Sequence, residues 1–553
     1  MKEKHKKIVV IGGVAGGMSF ATRYRRLNPD DDIIVFEKGP YVSFANCGLP
    51  YHISGDIRTR SALIVVREQL LKDRFRLDIR SSSEVIKIDT KHKEITYTFK
   101  EETFKESYDE LILSTGAKPI ELTIEGLSTI SHFSLRNIPD LDRIMQFIKE
   151  KSPKHATIIG AGYIGLEVAE NLIKNGIEVS IIEKAPDILP VVDPEMSAHI
   201  HQELIKQGVS VFTNDEITVI KDNTITLKSG HSLNTDFMIT AVGVLPDTAL
   251  VKEAGIRTGI KGGIVIDDRF QTSVDNVYAV GDAVIVKNYI SQIDTLIPLA
   301  SPANRQGRQL ADILNGLSVR HKGTLGTSIV KVFDLSLAAT GLNEKQLSDH
   351  VYNVLHVVAN DHASYYPHAT PIYLKVIFDP NTEMILGAQA VGEKGVDKRI
   401  DILATAIKAG LKVSDLQELE LSYAPPFSSA KDIVNLAGYI SSNMLLGLTK
   451  TIQWYDLKQS LKEQEDLIML DVRNSFEREI NGFIRGSIHM DVEQLYDHYE
   501  ELPKDKKIVT YCDLGPKGYQ AELLLRKKGF NVYHLDGDYH IATLMLKEYI
   551  DYV

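Results

Sequence analysis

The spacing of apolar positions changes character twice along the chain. Lys7–Ile11 is a short apolar run that stops at Gly12, and a helical stretch to about Leu27 separates it from a second run, Ile33–Glu37. The same order recurs at Thr157–Gly160, a helical stretch to about Lys174 that stops at Gly176, and Glu178–Glu183. Short apolar runs fit strands buried on both faces, and a helix between two of them makes a βαβ unit. The pattern therefore predicts two dinucleotide-type folds in series, a duplicated fold and not a short-period repeat. From Thr324 to Val391 it turns to strands separated by turn signals such as Asp379-Pro380-Asn381, followed by a helix from about Asp397 to Ala409. Ser441–Thr451 reads as a linker. After Trp454 a third alternating α/β pattern begins, with strands expected at Leu467–Leu470, Lys507–Tyr511 and Asn531–Leu535.

Composition narrows the class. The chain has 553 residues, too many for one core and enough for about three or four domains. Hydrophobic residues at 43% and charged residues at 25% are ordinary for a folded globular protein. A net charge of -11 argues against a general nucleic-acid binder. No apolar run approaches the ~20 residues of a membrane helix. The basic start Met1–Lys7 resembles a signal peptide only until Gly12 and Gly13 break the apolar run, so the expected location is cytoplasmic. Two cysteines exclude a disulfide framework and make each thiol a chemical candidate.

Gly160-Ala161-Gly162-Tyr163-Ile164-Gly165 is a full G-x-G-x-x-G between a strand and a helix. Its glycines allow a tight turn and close approach of a pyrophosphate to the helix N-terminus. Glu183 ends the next strand, where an acid can take ribose hydroxyls, with Lys184 beside it. The first turn, Gly12-Gly13-Val14-Ala15-Gly16-Gly17, has Val14 in place of the second glycine, but Glu37, followed by Lys38, again ends a strand. Thr115-Gly116-Ala117 follows the apolar Leu111–Leu113, and another strand ends in Gly281-Asp282.

With these four ordered motifs, residues 7 to 443 resemble the two-dinucleotide-binding flavoprotein disulfide reductases. The resemblance implies FAD at the first site, with Asp282 on its ribityl chain, and a nicotinamide at the second. Ala300 and Gly243 complete the implied cofactor contacts. It also implies a homodimer, and no metal site is expected. Glu183 would repel a 2′-phosphate, so NADH is expected over NADPH, with Lys184 allowing some NADPH use.

Cys47 lies in Ser43-Phe44-Ala45-Asn46-Cys47-Gly48-Leu49-Pro50-Tyr51, a loop composition. No second cysteine lies nearby, so a sulfur partner must come from substrate, or the thiol must cycle as a sulfenic acid. The string resembles the single-cysteine branch of these flavoproteins: coenzyme A disulfide reductases, persulfide reductases, and NADH oxidases and peroxidases. Tyr365-Tyr366-Pro367 and Tyr423-Ala424-Pro425-Pro426 resemble the tyrosine pair that assists a leaving thiolate across the dimer interface in the first of these. Tyr365 is preferred to Tyr366; packed interface aromatics are the competing reading. By the same resemblance Ser19, Arg23, Arg26, Ser43, Asn46, Asn304, Arg308 and Lys431 contact coenzyme A. A solvated helix face explains Arg23 and Arg26 equally well.

Cys512 follows the strand Lys507–Tyr511, and Cys512-Asp513-Leu514-Gly515-Pro516-Lys517-Gly518 precedes a helix expected over Tyr519–Lys528. A thiol at a helix N-terminus is expected to have a lowered pKa and to sit by an anion cradle. Leu470-Asp471-Val472-Arg473, Glu477, Gly482, Gly486, His489 and Leu535-Asp536-Gly537 complete a resemblance to the rhodanese domains. Lys517 stands where arginine is common, and Pro516 is expected to remove one amide from the cradle.

The expected fold is α/β: two Rossmann-like domains, an α+β dimerisation domain and an α/β rhodanese domain. The expected partition is an FAD-binding domain over 1–152 and 263–323, an NAD(P)-binding domain over 153–262, a dimerisation domain over 324–443, a linker over 444–452 and a rhodanese domain over 453–553. The whole resembles the coenzyme A disulfide reductase–rhodanese fusions. That implies an NAD(P)H-driven reductase of coenzyme A persulfide, polysulfide or disulfide acting through Cys47, with sulfane sulfur carried on Cys512. The alternatives are an NADH oxidase or peroxidase, or a reductase whose tail only binds or relays sulfur.

Overall fold

The computed structural model describes residues 5–552. It divides into two compact units: residues up to Pro186 with Gly208–Gly326, and Asp187–Gln207 with the chain from Thr327 onward.

The first unit holds two five-stranded parallel sheets of the same design. One runs in the order Val277–Ala279, Glu110–Leu113, Lys7–Ile11, Asp32–Phe36, Asp78–Arg80. The other runs Ser210–Phe212, Glu178–Ile182, His155–Ile159, Phe237–Thr240, His132–Ser134. Each central strand carries no polar face because helices or loops cover both sides. Alternate side chains of Lys7–Ile11 feed separate cores: Ile8 and Val10 enter one, Val9 and Ile11 the other. The glycine turns are sterically obligatory. A Cβ on Gly165 would lie 2.1 Å from the Gly160 carbonyl oxygen, and one on Gly307 would lie 2.2 Å from that of Gly16. The second contact lets the helix Ala300–Leu314 lie directly against the helix Ala15–Leu27.

The second unit contains an antiparallel sheet in the order Ser328–Val332, Leu335–Gly341, Ile385–Gly392, Pro371–Phe378, Asn353–Asn360. It also contains a parallel sheet in the order Thr451–Ile452, Asn531–Leu535, Lys507–Tyr511, Leu467–Asp471, Ile488–His489. The stretch read as a linker is ordered at both ends. The helix Ile433–Leu445 runs into it, and Thr451–Ile452 leaves it as the edge strand of the parallel sheet. Among the described residues no helix is long and apolar enough to cross a membrane.

Candidate functional site

The first glycine turn opens onto a cleft of about 430 Å³ lined by Gly12, Val14, Glu37, Lys38, Thr115, Gly116 and Arg136, among others. Glu37 accepts the amides of Gly13 (2.9 Å) and Gly39 (2.8 Å), so the strand-end acid shapes the turn itself. The Lys38 ammonium bridges Asp247 at 2.8 Å. No side chain caps the helix that starts at Ala15, which leaves its first amides open at the cleft. The buried Thr115 Oγ1 has no hydrogen-bond partner in the protein. Asp282 pairs with Arg136 at 2.9 Å, and the Gly281 amide is held by Gln306 Oε1 at 2.7 Å. Open amides, a strand-end acid and an orphaned hydroxyl in one elongated cleft fit a dinucleotide such as FAD. Ala300 begins the helix that packs on Ala15–Leu27 and is exposed.

The second turn repeats the arrangement. The helix Tyr163–Lys174 begins beside Gly162 without a side-chain cap. Glu183 accepts the amides of Ala161 and Ala185, each at 2.7 Å, and the exposed Lys184 is bridged to Glu216 at 2.7 Å. Ile164 and Tyr163 are half-buried, and Gly243 adopts φ +101°.

Cys47 occupies a one-turn 3-10 segment, Asn46–Gly48, that runs directly into the short helix Leu49–Ile53. The residue is exposed, while Asn46 also lines the cleft of the first glycine turn. Ser43 takes φ +50° and donates its amide to the Gly13 carbonyl at 2.9 Å, tying the cysteine loop to that turn. Desolvation raises the Cys47 thiol above its ordinary pKa, Glu167 and Asp282 raise it further, and Arg136 opposes them. Glu167 itself is pushed up to about 7 by burial, and it accepts a hydrogen bond from the Tyr51 hydroxyl at 3.0 Å. Sequence reasoning missed Glu167 and Arg136. The only available signal was that Glu167 follows the second glycine motif by two residues.

The expected coenzyme A contacts are only partly brought together. Ser19 Oγ donates to Asn304 Oδ1 at 2.5 Å across the two packed helices. The Arg23 Nε is held by Asp312 at 2.6 Å. Arg26 is exposed and lies over the Phe75 ring, 4.9 Å from its centre. Arg308 is exposed as well. In the second unit Lys431 is exposed, and Tyr365 and Tyr423 share a 2.9 Å hydroxyl–hydroxyl hydrogen bond. Tyr366 instead stands edge-on to His362, which separates it from that pair. His368 takes φ +66°, a backbone region that favours glycine.

Cys512 overturns the expectation of a lowered pKa. The residue is only 3% exposed. Burial drives its thiol well above the ordinary value, and the Asp538 carboxylate adds to the shift; the amides of Gly518, Leu514 and Gly515 oppose them without winning. The Gly515 amide donates to Cys512 Sγ at 3.2 Å, and the Cys512 amide donates to Asp538 Oδ1 at 2.8 Å. The following helix is Pro516–Lys527, starting earlier than expected. Pro516 therefore stands in the first turn, where a proline fits without breaking the helix. Lys517 is bridged to Glu477 at 3.0 Å. Beneath the loop the fully buried Arg473 pairs with Asp471 at 2.7 Å and with Asp513 at 3.1 Å, and lies 3.9 Å from the Tyr539 ring centre.

A family model described as pyridine nucleotide-disulphide oxidoreductase matches residues 6–307, the dimerisation domain of that family matches 327–433, and a rhodanese-like domain matches 454–540. The coenzyme A disulfide reductase of Staphylococcus aureus (strain JH9) is 40% identical over 438 residues, which cover 78% of this chain and 99% of that protein. Among solved structures, reduced Bacillus anthracis CoADR-RHD superposes with a TM-score of 0.97 at 48% identity, covering 100% of both chains. A NAD-dependent persulfide reductase from A. fulgidus superposes at 0.90 with 32% identity, covering 97% of this chain and 99% of its own.

Proposed function

Because this chain belongs to the pyridine nucleotide-disulphide oxidoreductases, we propose that it is an NAD(P)H-driven reductase of coenzyme A disulfide or persulfide, with Cys47 as the reducing thiol. The observation that carries the reading is an exposed lone thiol whose loop is tied to a dinucleotide turn, in a chain with no neighbouring cysteine. Cys47 thiolate attacks a sulfur of coenzyme A disulfide, forming a mixed disulfide and releasing one coenzyme A thiolate. Gly12, Glu37, Thr115 and Gly116 line the cleft that would hold FAD, which when bound would supply two electrons from NAD(P)H for reducing the mixed disulfide to the Cys47 thiolate and a second coenzyme A thiol.

The protein's own groups set the conditions. Arg136 favours the thiolate, but burial first and then Glu167, with Asp282, outweigh it and hold the thiol above its ordinary pKa. Ser19, Asn304, Ser43, Asn46 and Arg26 are the proposed coenzyme A contacts, and the Tyr365–Tyr423 pair is the proposed donor to a departing thiolate. The exposed Tyr365, Tyr423 and Phe427 leave an aromatic surface that supports a homodimer. Cys512 is the proposed carrier of sulfane sulfur in the rhodanese domain.

The test is Cys47→Ser. Reduction of coenzyme A disulfide by NADH is expected to fall by about 1000-fold or more, since a hydroxyl at this site lacks the thiolate's nucleophilicity. The variant should retain its bound flavin absorbance. Turnover at the parent rate would remove Cys47 from the reaction.

A further inference from the structure

Cys512 and the antiparallel sheet are joined by one turn. That turn follows the strand Asn531–Leu535 and carries two acids, Asp536 and Asp538, that face opposite ways. Asp536 takes two hydrogen bonds from His356, the backbone amide at 3.0 Å and the ring Nδ1 at 2.7 Å, and a third from Gln453 at 2.9 Å. Asp538, two residues on, takes the Cys512 amide at 2.8 Å and pairs with His534 at 3.2 Å. Gly537 adopts φ +76° and Asp538 φ +57°, and the turn is held by the Asp536 amide on the Ile452 carbonyl at 3.0 Å and the Tyr539 amide on the Cys512 carbonyl at 2.9 Å. His356 belongs to the strand Asn353–Asn360 of the antiparallel sheet.

We propose that His356 is a positioning residue for Cys512. By gripping Asp536 from the dimerisation sheet it fixes the turn whose second acid holds the Cys512 backbone. The thiol's burial is therefore set by the reductase half of the chain as well as by the rhodanese fold. This rests on the reading of Cys512 as the sulfur carrier only for its biological purpose; the coupling is a property of the thiol.

The groups facing His356 give the coupling a pH dependence. Glu195 meets its Nε2 at 3.2 Å, and Trp454 Nε1 donates to that same carboxylate at 3.2 Å. The fully buried Lys375 ammonium lies among Asp193, Glu195 and Glu344 and opposes a second positive charge. His199 and His540, stacked nearby with Tyr373, are held neutral by burial, at about 3 and about 4. Burial disfavours the His356 cation, but Asp536 first and then Glu195 outweigh it and raise the ring to about 9. Its folded value thus lies above its ordinary one. The charge-assisted part of the grip is fully present below the unfolded pKa of about 6.5 and is lost as pH rises through about 9, while the His356 backbone amide keeps its bond to Asp536.

The test follows alkylation of each cysteine by iodoacetamide in the full-length, flavin-loaded enzyme between neutral pH and pH 10, read by peptide mass spectrometry. Thiolate ionisation alone raises the rate about tenfold per pH unit below the thiol pKa. In the parent enzyme Cys512 should exceed that slope near pH 9 while Cys47 does not. In His356→Gln, Cys512 should react several-fold faster at neutral pH and follow the simple slope. Asp536→Asn, which removes the larger favourable charge on the ring, should move the break to lower pH and keeps the test alive if His356→Gln does not fold. A parent profile without a break, or a break unmoved by Asp536→Asn, overturns the proposal. Failure of the sulfur-carrier reading would show separately, as unchanged donor-dependent turnover in Cys512→Ser, because alkylation reads the thiol whether or not it carries sulfur.

Discussion

Glu167 shows how much one half-buried carboxylate can decide beside a reactive thiol. Its pKa of about 7 places it at the edge of ionisation in neutral solution, where each added fraction of charge pushes the Cys47 thiol further up. Glu167→Gln keeps an acceptor for the Tyr51 hydroxyl and removes the charge. The variant's Cys47 should alkylate about two- to tenfold faster near pH 7.5, with its pH profile displaced to lower pH. A profile identical to the parent's would show that Glu167 does not act on the thiol. Cofactor choice is also written in single charges. Lys184 is exposed and bridged to Glu216, so it is only partly available to a 2′-phosphate. Glu216→Gln should raise kcat/KM for NADPH relative to NADH by about two- to fivefold, the scale of an exposed ion pair. Glu37, Glu183 and the glycines were legible in the sequence because they stand at fixed steps from a strand end. Glu167 and Arg136 were not, since their relation to Cys47 is made by packing between segments far apart in the chain.

At the scale of elements, periodicity carried most of the fold. The runs Lys7–Ile11, Lys507–Tyr511 and Asn531–Leu535 form strands with the expected bounds, because parallel strands covered on both faces are mostly apolar. The Cys512 turn was misread in sign. Amide donors at a helix start are visible in a sequence, whereas the depth of burial that outweighs them and the Asp538 carboxylate beyond it are not. Arg473 belongs to the same lesson. It is completely buried, holds Asp471 through two nitrogens, and also donates to the Gly482 carbonyl at 2.7 Å. Arg473→Ala would leave the buried Asp471 with only the single Arg478 ion pair at 3.0 Å in place of the two-nitrogen pair. Its unfolding free energy should drop by about 3–5 kcal/mol, read as an early loss of the rhodanese portion in denaturant titrations. A loss below 1 kcal/mol would mean that water or rearrangement replaces the pair at low cost.

For the whole molecule the question is how two thiols in separate domains serve one reaction. Cys47 is exposed and Cys512 is buried, which suits the proposed division in which one meets a substrate sulfur directly and the other is sheltered until a donor opens it. Coenzyme A, with its long flexible arm, is the proposed shuttle between them. Cys512→Ser should keep reduction of preformed coenzyme A persulfide within about twofold of the parent, because Cys47 is the one proposed reducing thiol. The same variant should lose reduction that begins from a donor only the rhodanese loop can open. Equal loss of both activities in a folded, flavin-loaded variant would place Cys512 in the reductase site.

The central claim is that a single protein thiol, Cys47, takes the substrate's sulfur. Mass spectrometry of the reduced enzyme after one equivalent of coenzyme A disulfide, quenched before NADH is added, tests it most directly. One coenzyme A should be joined through a disulfide to the peptide containing Cys47, with Cys512 unmodified. Coenzyme A on the Cys512 peptide with Cys47 left free would contradict it.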